Sequence, residues 1–576
     1  MILSGHHKSS IIKFVISFGV FLAGTTVIFA QSQSGGADVD YREFPFFGSR
    51  IAIWAVGELH LMYAAFVLAV PMFALLIEFI GYKTGDKRYD KLAHELTSLL
   101  SVSFSFTATL GAILTFMLMI LYPRFTSYLI SIFDKTFWPY GLLFFAEAGF
   151  LYSYYYGWGK FSPRVHLLLG LGLNIVGTAI MFIANAWLAF MTSPSGIDEA
   201  GNLVSTWDAV NNYIWMPINI HRVIANICFG GAIAAAYAGF KFLGAKTKEE
   251  KAHYDWMGYV GNFIAISALL PLPFAGYWLG SEIYAFRAQM GMVLMGGAFS
   301  WLFIIQAVLI GMLFLGANYY LWLGMERIEG AEKYKKFVKY LLATITVCFV
   351  VWATPHSLVA TEEEARKMGG AHHPGLGILG VMSAKNTAVN IMILTTYISF
   401  LLYRRGNKVA TVSWAPLGHS AQFLIFAITI IFVIAIGVIG YFVEATVRIG
   451  LSVPQVISVL FAMTSVTIID IFLFRNARIV GQIKWGEIPA RAQYMLFFLA
   501  VTFTWLMGLM GYVRSGLRLH WHVYEVMKDT SVDAYTPTLG FASTVVSCIV
   551  IIFFVFIMFN FWLTGLLHKK DWEPKT

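Results

Sequence analysis

SRIAIWAVGELHLMYAAFVLAVPMFALLIEFIGY, residues 49–82, is a long apolar run carrying one histidine, His60, a third of the way along. At about 1.5 Å per residue it exceeds the roughly 30 Å hydrocarbon core of a bilayer, so it reads as a transmembrane helix. A histidine at that depth requires a partner, because unpaired imidazole is costly in hydrocarbon. Two partners suit it: a hydrogen-bonding neighbour on another helix, or a metal or haem iron, for which neutral imidazole is a common ligand.

The rest of the 576-residue chain has the same character. It is 58% hydrophobic and 12% charged, far from the composition of soluble domains, and reads as an all-α, polytopic transmembrane helix bundle. The net charge of +9 reports basic loops on one side of a membrane and gives no reason to invoke nucleic acid. Cys228, Cys348 and Cys548 lie inside apolar runs without a CxxC or CxxCH pattern, which removes covalent c-type haem, cysteine zinc sites and iron–sulfur clusters. Any haem is then held by histidine or methionine.

Residues 1–30 read as a signal peptide ending near Ala30, or as an uncleaved first helix. Thirteen spans follow, at 49–82, 95–122, 137–158, 164–190, 213–240, 256–280, 288–323, 337–355, 378–403, 420–443, 452–474, 490–513 and 540–567. Lysine and arginine crowd alternate loops, beginning with Lys83, Lys87, Arg88 and Lys91 and ending with Lys569 and Lys570, whereas the segment MTSPSGIDEAGNLVSTWD (191–208) has neither. The positive-inside rule then puts the mature N-terminus outside and the C-terminus in the cytoplasm of a bacterial-type plasma (inner) membrane. His60, His221, His356, His372, His373, His520 and His522 all fall toward the outer face. His94, His166, His253 and His568 sit among charges at cytoplasmic ends and read as interfacial.

Two further stretches carry candidate chemistry. In MPINIHRVIANICFGGAIAAAYAGF (216–240), Ala225, Cys228, Ala232, Ala235 and Gly239 form a stripe running inward from His221. The stripe leaves room for a flat macrocycle, or else packs closely on another helix. In WPYGLLFFAEAGFLYSYYYGWGKFSPRVH (138–166), Glu147 stands alone mid-span, suited to proton transfer or to an interhelical hydrogen bond.

These segments, together with LLIEFIGYKTGDKRYDKLA (75–93) and ANAWLAFMTSPSG (184–196), resemble subunit I of the cytochrome bd quinol oxidases in the same order and spacing, most clearly over residues 49–245. The resemblance implies that His60 ligates a haem of the oxygen-reducing pair, that His221 ligates the low-spin haem b, and that Glu147 belongs to the proton route. It also matches Arg287 and Arg518, candidate haem-propionate partners with Arg222 and Arg514, and Trp521. There are departures. Pro139 replaces a second glutamate of the third helix; Gln289 takes the place of the low-spin methionine, with Met290 and Met292 adjacent. The quinol-binding loop is reduced to LGSEIY (279–284), and Ser515 stands where the family has a haem-ligating glutamate.

The expected organisation is therefore a signal segment (1–30), a bd-like haem-binding bundle (31–355), and additional helices with histidine-bearing outer loops (356–576). His356, His372, His373, His520 and His522 could supply the missing haem ligand or hold copper; His520 and His522 form an HxH pair suited to one side of an extended segment. The expected function is a haem-b electron-transfer subunit of a bd-like oxidase. It would carry more than one haem b, with haem d or copper as further candidates, take electrons from quinol or cytochrome c to O2, and pair with a second membrane subunit. The alternatives are a haem-b conduit or quinol dehydrogenase that does not reduce oxygen, and a haem-free transporter, which one-sided histidine clustering and the lack of half-repeats disfavour.

Overall fold

The computed structural model describes residues 39–571 except 296–298, 358, 369–376, 533 and 535–538. The signal segment, His372 and His373 lie outside the described residues. Thirteen long helices carry the architecture: α1 (Ser49–Thr84), α2 (Lys87–Leu121), α3 (Pro123–Tyr156), α4 (Pro163–Phe190), α5 (Trp215–Gly244), α6 (Lys248–Leu269), α7 (Ser300–Gly324), α8 (Glu332–Trp352), α9 (Met382–Arg404), α10 (Ala415–Ile439), α11 (Ser452–Phe474), α12 (Ala490–Leu517) and α13 (Leu539–Asp571). Extended structure among the described residues is confined to two two-stranded ribbons.

Among the described residues eleven helical segments are long and apolar enough to cross a membrane, against thirteen expected spans. The difference lies in α3 and α8, which form as helices but are too polar to qualify. Asp134, Lys135 and several tyrosines dilute α3, and Lys333, Lys335, Lys336 and Lys339 dilute α8. The fifth of these segments joins α6 to a short helix, Leu272–Phe286.

Local signals explain where the helices begin and end. Gly85 adopts φ 71° and returns its N–H to Gly81 O, closing α1 in the left-handed conformation that glycine tolerates. Asp86 caps α2, and Thr247 with Glu250 forms a reciprocal capping box at the start of α6.

The basic loops meet at one end of the bundle. Lys408–Val409 pairs with Arg478–Ile479, and Ile328 bridges to Ile483. Beneath them Arg327, fully buried, donates to Asp255 and, at 2.8 Å, to the Tyr403 hydroxyl, while its guanidinium lies 4.6 Å from the Trp485 ring centroid. At the opposite end Arg42 donates to Ile120 O, Tyr524 N–H donates to Met191 O, and Arg50 pairs with Asp529 at 3.0 Å. α1 occupies the centre, packed on α2, α4 and α5, with α12 against α5 and α7. α10 and α11 expose Phe423 and Phe461 on the flank, as a lipid-facing surface would.

Candidate functional site

The His60 ring projects from α1 onto α2. Its Nδ1–H donates to Thr107 O at 3.1 Å, and a Cβ placed on Gly111 would lie 2.8 Å from His60 Cε1. The carbonyl can only accept, so the proton is held on Nδ1 and the Nε2 lone pair is left available. That is how second-shell contacts orient a metal-ligating imidazole.

His221, on α5, has no hydrogen-bond partner among the described residues, and a Cβ at Gly276 would lie 3.8 Å from its Nε2. The small-residue stripe below it is closed by α6 around Cys228 and Ala235 and by Gln493 of α12 at Gly239. A Cβ on Gly231 would meet Ala265 N at 2.8 Å, and one on Gly261 would meet Ala235 N at the same distance, while the Cys228 thiol donates to Ala265 O at 3.1 Å. Below Cys228 the stripe therefore serves close helix packing and offers no space to a macrocycle.

Arg222 and Arg514, two of the candidate propionate partners, meet in a charged cluster with Glu58, which sequence reasoning missed. Glu58, buried, presses its carboxylate on Gly511 of α12, within electrostatic reach of Arg222 and Arg514. Arg222 donates to Asn185 Oδ1 at 2.7 Å, and Asn185 donates in turn to Asn219 Oδ1 at 2.7 Å. The only sequence signal for Glu58 was its lone charge in an apolar run, two residues before His60.

Other predicted site residues are placed as follows. Glu147 is buried on α3 with no hydrogen-bond partner among the described residues; a Cβ on Gly177 would lie 3.2 Å from its Oε1. Met290 is buried with Ile283 and Leu302, whereas Met292 is exposed. Arg287 is half-exposed and paired with Glu525. Arg518 is buried and donates to His522 O, and Trp521 begins the short ribbon Trp521–Val523 against Met527–Lys528.

The HxH pair is split. His520 lies in a turn and is exposed, whereas His522 is packed 4.6 Å from the Phe125 ring and 4.9 Å from the Tyr122 ring. The strand starts only at Trp521 and its register shifts before Val523, so strand alternation does not align the two imidazoles. Burial, together with Arg518 and Arg50 nearby and against the pull of Asp529, brings His522 down to about 4. His356 lies 6.0 Å from the Phe303 ring, and both its nitrogens are buried without a hydrogen-bond partner among the described residues. No three His, Cys, Asp or Glu side chains among the described residues converge on a point a metal could occupy.

Two of the histidines read as interfacial, His166 and His253, are instead buried or half-buried and paired, while the side chain of His568 lies outside the described residues. His166 is 2.6 Å from Glu78, and His253 is 3.0 Å from Glu95, which also accepts from the Tyr237 hydroxyl at 3.0 Å.

Residues 49–289 match the profile of the family described as cytochrome bd terminal oxidase subunit I. Over this region the chain is similar to that family. The match contains His60, Glu147, His221 and Arg287, and it ends before Met290, Arg518 and Trp521. A putative cytochrome bd menaquinol oxidase subunit I of Bacillus subtilis (strain 168) is 24% identical over 193 residues, which is 33% of this chain and 44% of that protein. The chain thus aligns with under half the length of this curated relative. The solved bd oxidase of Geobacillus thermodenitrificans superposes over 91% of this chain and 98% of its own, with a TM-score of 0.46 and 14% identity. The bd family comprises terminal respiratory oxidoreductases of the membrane.

Proposed function

We propose that the chain is the haem-b-binding electron-transfer subunit of a bd-like terminal oxidase, passing electrons from quinol or another donor to O2. The observation that carries this is the His60 imidazole, whose Nδ1–H is engaged by Thr107 O while Nε2 is left free to ligate. His221, with no hydrogen-bond partner for either ring nitrogen among the described residues, fits a second haem, and buried Met290 is the better placed of the two methionines to serve as a further ligand. Bound haem iron would supply one-electron transfer and oxygen binding. Arg222, oriented by Asn185, and Arg514 and Arg518 would hold anionic propionates. Glu147, a buried carboxyl without a hydrogen-bond partner among the described residues, would hold and pass protons drawn from the basic, cytoplasmic side. On this reading the protein lies in the plasma membrane with its mature N-terminus outside, beside a second membrane subunit, and haem d remains a candidate for one site.

A second reading, a haem-b conduit that does not reduce oxygen, is favoured by one feature: Ser515 stands where the family has a ligating glutamate, and its hydroxyl accepts from Arg50 at 3.3 Å. Dithionite-reduced minus oxidised spectra, with and without carbon monoxide, separate the two. The oxidase reading expects a CO-shifted component lost in His60→Ala and a low-spin component lost in His221→Ala. CO-indifferent bands would select the conduit, and no haem bands in folded, haem-supplied protein would refute both.

A further inference from the structure

Resting on the reading of Glu147 as a proton carrier, we infer that the buried cluster Glu78–His166–Tyr154 is a proton-holding site that supplies Glu147 along one face of α4. The three side chains come from α1, α4 and α3 and are all buried. His166 Nε2 is 2.8 Å from Tyr154 O, which can only accept, so Nε2 carries a hydrogen. His166 Nδ1 is 2.6 Å from Glu78 Oε1. Two bare acceptors would repel at that distance, so one proton lies between them, either on an imidazolium or on a carboxyl. The Tyr154 hydroxyl donates to the other carboxylate oxygen at 2.5 Å. The pair therefore holds one proton that can shift from nitrogen to oxygen without changing the net charge of a buried site.

A route leads from this site to Glu147. His166, Gly170, Asn174 and Gly177 fall at i, i+4, i+8 and i+11 and share a face of α4, spanning about 17 Å. A Cβ on Gly170 would sit 3.0 Å from the Tyr154 ring, and one on Gly177 would sit 3.2 Å from Glu147 Oε1, so the face begins at the pair and ends at the carboxyl. Midway, Asn174 Nδ2 donates to Pro71 O at 3.0 Å and to Gly170 O at 2.9 Å, while Asn174 Oδ1 is buried without a hydrogen-bond partner among the described residues. Pro71 has no N–H, so Val67 O, one turn along the same face of α1, lacks its helical donor. Buried acceptors of this kind are satisfied by ordered water, and water bonded to them relays protons.

The surroundings are consistent with filling from the basic end. Asp90 and Thr97 of α2 lie close to Tyr154, His94 packs on Trp158, and Trp158 packs on His166. Lys160 and Arg164 flank the start of α4. In one transfer the proton leaves the Nδ1–Oε1 contact, passes through water at Asn174 Oδ1 to the Glu147 carboxylate, and is replaced from solvent at the basic end; no electron moves in this step.

The test uses the full haem-loaded protein in vesicles, with proton uptake followed by a pH dye after CO photolysis in the presence of O2. Glu78→Gln and Asn174→Leu should each slow uptake by about tenfold or more with unchanged haem spectra, because general acid–base groups contribute at least that much. Asn174→Leu leaves the Glu78–His166 pair intact, so a merely structural tie between helices would not produce its effect. Wild-type uptake in both variants, with uptake slowed in Glu147→Gln, would overturn this inference alone. Wild-type uptake in Glu147→Gln would overturn the reading of Glu147 as well.

Discussion

Gly111→Ala should loosen haem at the His60 site while leaving the His221 site untouched. The introduced Cβ would lie 2.8 Å from His60 Cε1 and 3.1 Å from Nδ1, whereas ordinary van der Waals contact begins at 3.4 Å. The ring must therefore retreat by the difference, 0.6 Å, at Cε1. The bond to Thr107 O is already 3.1 Å long, and a retreat of that size away from α2 takes it past hydrogen-bonding range. Losing it costs about 1 kcal/mol directly. It also frees the imidazole to change tautomer and rotamer, and loss of such second-shell partners typically weakens metal affinity by about 10- to 100-fold, roughly 1.4–2.7 kcal/mol. The assay is haem transfer to excess apomyoglobin, with the CO-sensitive and CO-insensitive bands followed separately. The CO-sensitive band should decay faster by that factor and the low-spin band at the wild-type rate. Equal, wild-type decay of both bands would refute the reasoning, because the steric conflict at Gly111 would then have no consequence for His60.

Asp255→Leu alone leaves Arg327 buried without its carboxylate and should cost about 3–5 kcal/mol of stability; thermal unfolding in detergent should show Asp255→Leu/Arg327→Met recovering much of it, and additive losses would contradict the ion-pair account. The ribbon around His522 should be acid-labile. Because His522 is depressed to about 4 from 6.5, its contribution is fully present above pH 6.5 and is lost as pH falls toward 4, up to about 3 kcal/mol in all. Limited proteolysis of segment 518–531 between pH 7.5 and 4.5 should show this, and His522→Gln should flatten the dependence. The ligand substitutions His60→Ala and His221→Ala should remove separate spectral components, as described above.

The helices were legible because hydrophobic runs of bilayer length admit few other structures, and the basic loops that the charge pattern grouped do meet at one end. The family match likewise covers residues 49–289, where His60, Glu147 and His221 were picked out by the depth of a polar residue in an apolar run. Depth along a helix is readable from sequence, but the direction a side chain takes around the helix axis is not. His166 and His253, among charges at helix ends, looked interfacial, yet their partners Glu78 and Glu95 lie 88 and 158 residues away. No periodicity encodes such pairings.

What the sequence by itself determined was a membrane helix bundle with polar side chains singled out by their depth in apolar runs, since placing polar groups in hydrocarbon is costly. Only the tertiary structure decided that Thr107 sets the tautomer of His60, that Glu58 comes near two arginines, that helix packing closes the small-residue stripe, and that His520 and His522 part company. Each of these depends on which helices touch and at what register. Close packing sets that collectively, and no single stretch carries it.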